Sequence, residues 1–240
     1  MKLIAPTYYS AFHCIADRCQ HTCCVGWEVD IDAESLARYR GQPDVFAQIE
    51  TGDTPHFRLD DGERCPFLNS GNLCELILRY GQDSLCQICR DHPRFRNFWT
   101  DRTELGLGLV CEEAGRLILS RETPMELTVL SDDGTSPPLP EEEVWLLQYR
   151  RQLLDGIAET GPKARLLEYL IYRHLPDALY DGRVEERTAF IWQSFREITA
   201  AWAKTAGSLT ALISCARVWS YDVEYDDEEL ERRLCTALRK

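Results

Sequence analysis

From residue 141 onward the chain repeats one pattern, apolar residues at spacings of three and four with charged residues between them. The stretches EEEVWLLQYRRQLLDGIAE, KARLLEYLIYRHL, VEERTAFIWQSFREITAAWAKTA, SLTALISCARVW and DDEELERRLCTAL all carry it. That period matches one face of an α-helix, so five helices are predicted, packed as an all-helical bundle. The aromatic residues of these segments (Trp145, Tyr149, Tyr169, Tyr172, Trp192, Trp202 and Trp219) are expected to be core rather than a ligand cage. Residues 111–120, CEEAGRLILS, open a further amphipathic helix.

The first half follows a different rule. Residues 26–31, GWEVDI, alternate apolar and acidic side chains as a short strand does, and Asp32 stands where the N-cap of a helix over AESLARYR belongs. The run HFRL at 56–59, the turn Asp60-Asp61-Gly62 and the run CPFL at 65–68 predict a small β-hairpin. Asn69-Ser70-Gly71 marks a second turn just before Cys74. Short helical turns are expected from 74 to 80 and from 84 to 90. His92-Pro93 ends the second, because the residue before a proline is pushed out of the helical region. Residues 131–140, SDDGTSPPLP, are rich in turn formers and nearly free of apolar side chains. The expected fold is mainly α: an irregular Cys-rich metal-binding N-terminal half with a small β-hairpin (1–130), a linker or loop (131–141) and the all-helical bundle (142–240).

A chain of 240 residues buries a core without covalent staples, so its cysteines need another reason. The N-terminus, MKLIAPTYYSAFHC, lacks the charged region and long apolar run of a signal peptide, and no apolar run reaches 18 residues. A cytoplasmic, reducing location is the expectation. The net charge of −13 repels phosphate backbones and anionic lipid, which argues against nucleic-acid and membrane partners and favours a cationic one. Only Lys2, Lys163, Lys204 and Lys240 are lysines. Such scarcity suits an enzyme that must not act on its own lysines, although codon bias produces the same composition.

The chain has 11 cysteines, and nine of them precede residue 112. In a reducing compartment, short Cys spacings point to metal binding rather than disulfides. Cys23 and Cys24 are adjacent and cannot easily share one apolar core, while Cys86-x2-Cys89 places two thiols one helical turn apart. The candidate ligands are Cys14, Cys19, Cys23, Cys24, Cys65, Cys74, Cys86, Cys89 and Cys111. A tetrahedral zinc site or one [4Fe–4S] cluster takes four, so nine exceed one centre, and spacing alone leaves both metals open. Cys19-x3-Cys23 begins like the cluster motif that cleaves S-adenosylmethionine, but residue 26 is glycine where the third cysteine belongs.

Gly106 and Gly108 in ELGLGL resemble the Gly-rich turn of S-adenosylmethionine-dependent methyltransferases. The preceding FWTDRT is not a buried apolar strand, so small residues for close packing are the stronger reading. Arg90, His92, Arg94, Arg96 and Arg102 form a basic patch next to Cys89. It would bind a carboxylate, balance a thiolate cluster, or face solvent in salt bridges. Arg90 and Arg94, with the two glycines, are the candidate cofactor-binding residues.

Four blocks then occur in order: Phe12-x-Cys14-x4-Cys19-x3-Cys23-Cys24-x-Gly26-Trp27-x-Val29-x-Ile31-Asp32; Cys65-Pro66-Phe67-Leu68-x4-Leu73-Cys74; Leu85-Cys86-x2-Cys89-Arg90-x-His92-Pro93-Arg94; and ELGLGL at 104–109 followed by Cys111-Glu112-Glu113-Ala114. Together they resemble the flagellin lysine N-methylase family, FliB, over residues 1 to about 120. More distantly they resemble small zinc- or iron-chelating proteins named for Cys-x2-Cys-x2-Cys-Cys. The resemblance implies methyl transfer from S-adenosylmethionine to surface lysines of flagellin, in a protein carrying an iron–sulfur cluster, [4Fe–4S], with zinc as the alternative. Family members run longer than this chain. Methylation needs a neutral amine, so the site should desolvate the lysine or provide a base, for which His92, Glu104 and Tyr8 or Tyr9 are the candidates. The competing expectation is a non-catalytic zinc or iron–sulfur module whose helical half binds a partner protein.

Overall fold

The computed structural model describes residues 1–239. In chain order its regular elements are β1 (Lys2–Pro6), α1 (Ala33–Tyr39), α2 (Pro43–Phe46), β2 (Ile49–Glu50), β3 (His56–Phe57), α3 (Glu75–Tyr80), α4 (Gln87–Asp91), β4 (Arg94–Phe98), β5 (Arg102–Leu107), α5 (Glu112–Leu119) and β6 (Leu127–Asp132). Then come α6 (Glu141–Asp155), α7 (Gly161–His174), the single turn α8 (Ala178–Asp181), α9 (Val184–Ala203), α10 (Leu209–Val223) and α11 (Asp227–Thr236). The fold is mainly α with a small mixed sheet. Among the described residues, no helix is long and apolar enough to cross a membrane.

Two compact units divide the chain, Cys14–His92 and a larger one made of residues 1–13 with the chain from 93 onward. This differs from the expected division at 131–141, for a reason visible in the strand pairing. The sheet order is β4-β5-β1-β6. β1 pairs parallel to β5 with Lys2 opposite Arg102, and antiparallel to β6 with Pro6 opposite Leu127. Parallel strands need a long crossover, and here the entire Cys-rich unit lies within it. Residues 93–132 therefore belong with the helices, and the exposed stretch 133–140 connects β6 to α6 inside one unit.

The β4 sequence RFRNF alternates, burying Phe95 and Asn97 and turning Arg96 and Phe98 outward. The Asn97 side-chain amide donates to the Tyr172 carbonyl oxygen at 2.9 Å, and the Tyr172 hydroxyl donates to the Leu105 carbonyl oxygen at 2.9 Å. These bonds fasten the sheet to α7, which is buried on every side from Ala164 to Tyr172. The five predicted helices correspond to α6, α7, α9, α10 and α11. Tyr169, Tyr172 and Trp219 are core as expected, but Trp145 is 52% exposed and Trp192 36% exposed. Trp145 instead stacks on Tyr149 along α6, ring centroids 5.4 Å apart. A three-and-four spacing fixes the apolar stripe and leaves its width to the partners that pack on it.

Phe95 stands directly opposite Gly106 across the β4–β5 pair. A Cβ at Gly106 would lie 2.0 Å from the Phe95 ring. Gly106→Ala is therefore expected to displace Phe95 from its contacts with Tyr169 and Tyr172 and to cost about 1–3 kcal/mol by overpacking, measured as a lowered denaturation midpoint.

A buried polar knot joins α7 to α10. Glu224 accepts from the Tyr169 hydroxyl at 2.8 Å, lies 2.8 Å from His174 Nε2, and also accepts from Ser220. Burial pushes the Glu224 carboxyl up, but His174, Arg173 and the Ser220 hydroxyl outweigh it and hold it below its ordinary value. Burial pulls His174 below 6.5 against the opposing pull of Glu224. A histidine depressed on folding takes up its proton first in the unfolded chain, so acidification through pH 6.5 removes stability. The slope is at most about 1.4 kcal/mol per pH unit. His174→Gln should flatten the fall in melting temperature between pH 7.5 and 5.5, followed by thermal scans at both ends.

Candidate metal centre

The Cys-rich unit has its own core of Val29, Ile31, Tyr39, Val45, Ile49, Phe57, Phe67 and Leu76, against which Cys24, Cys65, Cys74, Cys86 and Cys89 pack. Asp32 organises it. One carboxylate oxygen accepts from the Ser35 N–H at 2.9 Å and caps α1, as predicted, and the other accepts from the Gln87 N–H at 2.8 Å in the first turn of α4. Burial alone would raise the Asp32 carboxyl, but those hydrogen bonds hold it at about 2. Arg38 and Tyr39 of α1 donate to the Ser84 carbonyl oxygen at 3.1 and 2.6 Å, pinning the segment that leads into Cys86.

The loops then deliver the thiols. Residues 26–31 bury Val29 and Ile31 on alternate positions, as the pattern predicts, but make only isolated bridges and no strand. The hairpin is also different: β3 pairs with β2, Ile49 opposite Phe57, and not with 65–68. The chain at 60–64 closes on itself through an Asp60–Arg64 bridge. The Cys65 N–H then bonds the Cys24 carbonyl oxygen at 2.9 Å, and Val25 bridges Arg64. Pro66 lacks an N–H, which disqualifies 65–68 as a regular pairing strand. That exchange sets Cys24 beside Cys65. The Asn69 side chain accepts from the Gly71 and Leu73 N–H groups, and the resulting turn is closed by a Leu68–Cys74 bridge, so Cys74 returns to the same side. Cys86 is the N-cap of α4 and Cys89 lies within it, with the two side chains hydrogen-bonded to each other.

These thiols act on one another electrostatically. Cys89 senses Cys86, Cys24 and Cys65; Cys65 senses Cys24, Cys74 and Cys86; Cys74 senses Cys24 and Cys14. The hydrogen bond with Cys23, aided by Thr22 and Arg64, brings Cys24 down to about 7 against burial. Burial pushes Cys65 up to about 12 and raises Cys74. The Cys89 side chain lowers Cys86, and Cys89 itself is raised by that bond and by burial. Among the described residues, no three Cys, His, Asp or Glu side chains already sit in a ligating arrangement. The donor set nevertheless suits a soft or borderline metal: several thiols, partly shielded from water and supplied by separate loops.

Of the other cysteines, Cys14, Cys19 and Cys23 belong to the same unit, where Cys14 helps raise Cys74 and Cys23 bonds Cys24. Cys14 and Cys23 are exposed and Cys19 half-buried, its thiol directed to the His21 carbonyl oxygen. Cys111 caps α5 in the larger unit and packs on the helical core. Of the base candidates, His92 stacks on Trp27 with centroids 6.2 Å apart. Glu104 is fully buried and bidentate to Arg150 at 2.6 and 2.8 Å, an arrangement that leaves it no proton-transfer partner from solvent. Tyr8 lies under Arg121, and burial raises its hydroxyl pKa. Space beside Gly106 is filled by Phe95 and space beside Gly108 by the Tyr225 hydroxyl and Pro93, which accords with the packing reading of those glycines. Of the basic patch, Arg90 lies in α4 of the Cys-rich unit, whereas Arg94, Arg96 and Arg102 belong to β4 and β5 of the larger one. Arg94 stacks over Phe12, and Arg102 pairs with Asp101 at 2.8 Å.

No family model matches the chain, and no solved structure does. Two curated relatives, the lysine-N-methylases of Salmonella typhimurium and Salmonella choleraesuis, are each 24% identical over 187 residues, covering 70% of this chain and 46% of theirs. Flagellar biosynthetic protein FliU of Salmonella muenchen is 22% identical over 134 residues, covering 51% of this chain and 79% of its own. The chain spans about half the length of the lysine-N-methylases it matches. Coverage of 70% extends past the four Cys-bearing blocks, which end near the chain's midpoint. On these matches, together with the ordered blocks, the chain is a relative of the FliB lysine-N-methylases.

Proposed function

We propose that this chain serves S-adenosylmethionine-dependent methylation of lysine side chains on flagellin or a similar protein, with an iron–sulfur cluster or zinc held in the Cys-rich unit. The observation that carries the reading is the similarity to proteins named lysine-N-methylase, in a chain that gathers five thiols around one small core. Cys24, Cys65, Cys74, Cys86 and Cys89 would hold the metal, four as ligands and one in reserve. A bound cluster supplies cross-linking of otherwise separate loops and positive charge that draws thiols to thiolates.

The chain's own residues do the rest. Asp32, Arg38 and Tyr39 fix the approach to Cys86, while the Cys23 side chain, with Thr22 and Arg64, favours the thiolate of Cys24. The net charge of −13 draws a lysine-bearing surface toward the protein.

The test is anaerobic purification with iron and zinc determination, followed by incubation with isotopically labelled methyl donor and flagellin. Mass spectrometry of flagellin lysines should show the added methyl group. Stoichiometric metal without methyl transfer would convert the reading to the non-catalytic module; neither metal nor transfer would remove it.

A further inference from the structure

A cleft of about 320 Å³ opens in the larger unit where the turn after β4, the first turn of α6 and the single turn α8 come together. Phe98, Trp99, Leu179 and Tyr180 form its apolar walls. Among the described residues, the charged groups of its lining are the carboxylates of Glu142 and Glu143, with no basic side chain. Trp99 is buried, but Phe98 is 56% exposed and Tyr180 66% exposed. One uncovered ring is ordinary; two beside the same pair of carboxylates make an apolar surface with a charge preference.

The walls are held in place. The Tyr180 hydroxyl donates to the Phe98 carbonyl oxygen at 3.2 Å, which ties α8 to the end of β4. Glu143 accepts from the Thr100 N–H at 2.9 Å and from the Thr100 hydroxyl at 2.6 Å, which ties α6 to the same turn. A carboxylate offers about four acceptor positions, so Glu143 keeps capacity for a further donor. Glu142, exposed beside it, has no ion-pair partner among the described residues. The nearby arginines are already matched: Arg150, over the Trp99 ring, by Glu104, and Arg187 by Asp177 and Asp181. Burial, and then the charges of Asp177 and Glu143, raise the Tyr180 hydroxyl pKa, in keeping with a negative cleft. Glutamates in the first turn of a helix offset its macrodipole, a role that leaves the uncovered rings beside them unexplained.

We propose that this cleft receives the side chain of a lysine presented by a partner protein, its ammonium facing Glu142 and Glu143 and its methylene stem lying along Phe98 and Tyr180. Aromatic faces attract a cation, and carboxylates accept from its N–H donors. A neutral or anionic group gains neither. The volume is at the small end of ligand sites, as one extended side chain requires. That the lysine belongs to a methylation substrate rests on the function proposed above; the cleft's preference for an alkylammonium does not.

Saturation-transfer NMR on the full chain, with Nα-acetyl-lysine methylamide as the probe, tests this. The probe should bind saturably, and its norleucine counterpart, which keeps the stem and lacks the ammonium, about tenfold more weakly or worse. Glu142→Gln combined with Glu143→Gln should weaken the probe about fivefold or more, while the glutamine at 143 still offers Thr100 an acceptor. Phe98→Ala combined with Tyr180→Ala leaves both carboxylates in place and should weaken it by a similar factor, with circular dichroism confirming a folded chain. Added salt should weaken binding to the unsubstituted chain. The assay needs neither methyl donor nor metal, so saturable, variant-sensitive binding in a protein that transfers no methyl group keeps the cleft and removes the methylase reading alone. Absence of probe binding, equal binding of the norleucine counterpart, or equal binding by the folded variants overturns the cleft, whether or not flagellin is methylated.

Discussion

Replacing Glu104 by alanine is expected to destabilise the larger unit by about 3–5 kcal/mol, because it strands the buried Arg150 charge without a partner. The pair is doubly bonded, and the Arg150 guanidinium also lies over the rings of Trp99 and Tyr172, 5.1 and 5.6 Å from their centroids. Burial works against the charged guanidinium and Glu104 restores it, leaving the Arg150 pKa above its ordinary value. Urea unfolding followed by circular dichroism measures the loss. The double variant Glu104→Leu with Arg150→Met should recover most of it, since an apolar pair of similar volume removes both desolvated charges together. Failure of the double variant to recover would show that the pair's geometry, rather than charge balance, holds β5 to α6.

Cys86→Ser should lower bound iron or zinc in the anaerobically prepared protein to less than about a tenth, the scale on which loss of even a supporting group acts at metal sites. Cys86 has no exposed surface, stands at the N-cap of α4 without a side-chain capping bond, and bonds Cys89, so serine removes the donor while suiting the start of the helix. Cys111→Ser is the matched control. Cys111 belongs to the other unit and packs on the helical core, so its variant should retain full metal. Metal analysis beside a thermal scan separates lost ligation from a lost fold. Equal metal loss in both variants would extend the ligand set beyond the five gathered thiols.

Parts of the Cys-rich unit's local geometry were legible because their signals are local. The Cys-x2-Cys spacing at 86 and 89 fixes two thiols one turn apart whatever surrounds them, and Asp32 announces a helix start by its own side chain. The partner of Asp32 at Gln87 was not legible, since nothing near residue 32 encodes a segment 55 positions away. Sorting the nine cysteines had the same limit. Cys111 and Cys89 look alike in sequence, yet one caps a helix in the larger unit and the other joins the thiol group.

By itself the sequence determined the helices of the second half, the turns that fold the Cys-rich segment, and the resemblance to lysine N-methylases, because each rests on near neighbours or on ordered blocks. Tertiary structure alone decided the sheet, whose central strand β1 pairs with β5 and β6 a hundred or more residues away. It also decided where the units divide, which aromatic residues are covered, and which thiols meet. Hydrogen bonding between distant strands and the burial of charged pairs depend on what the rest of the chain brings alongside, and local pattern carries no record of that.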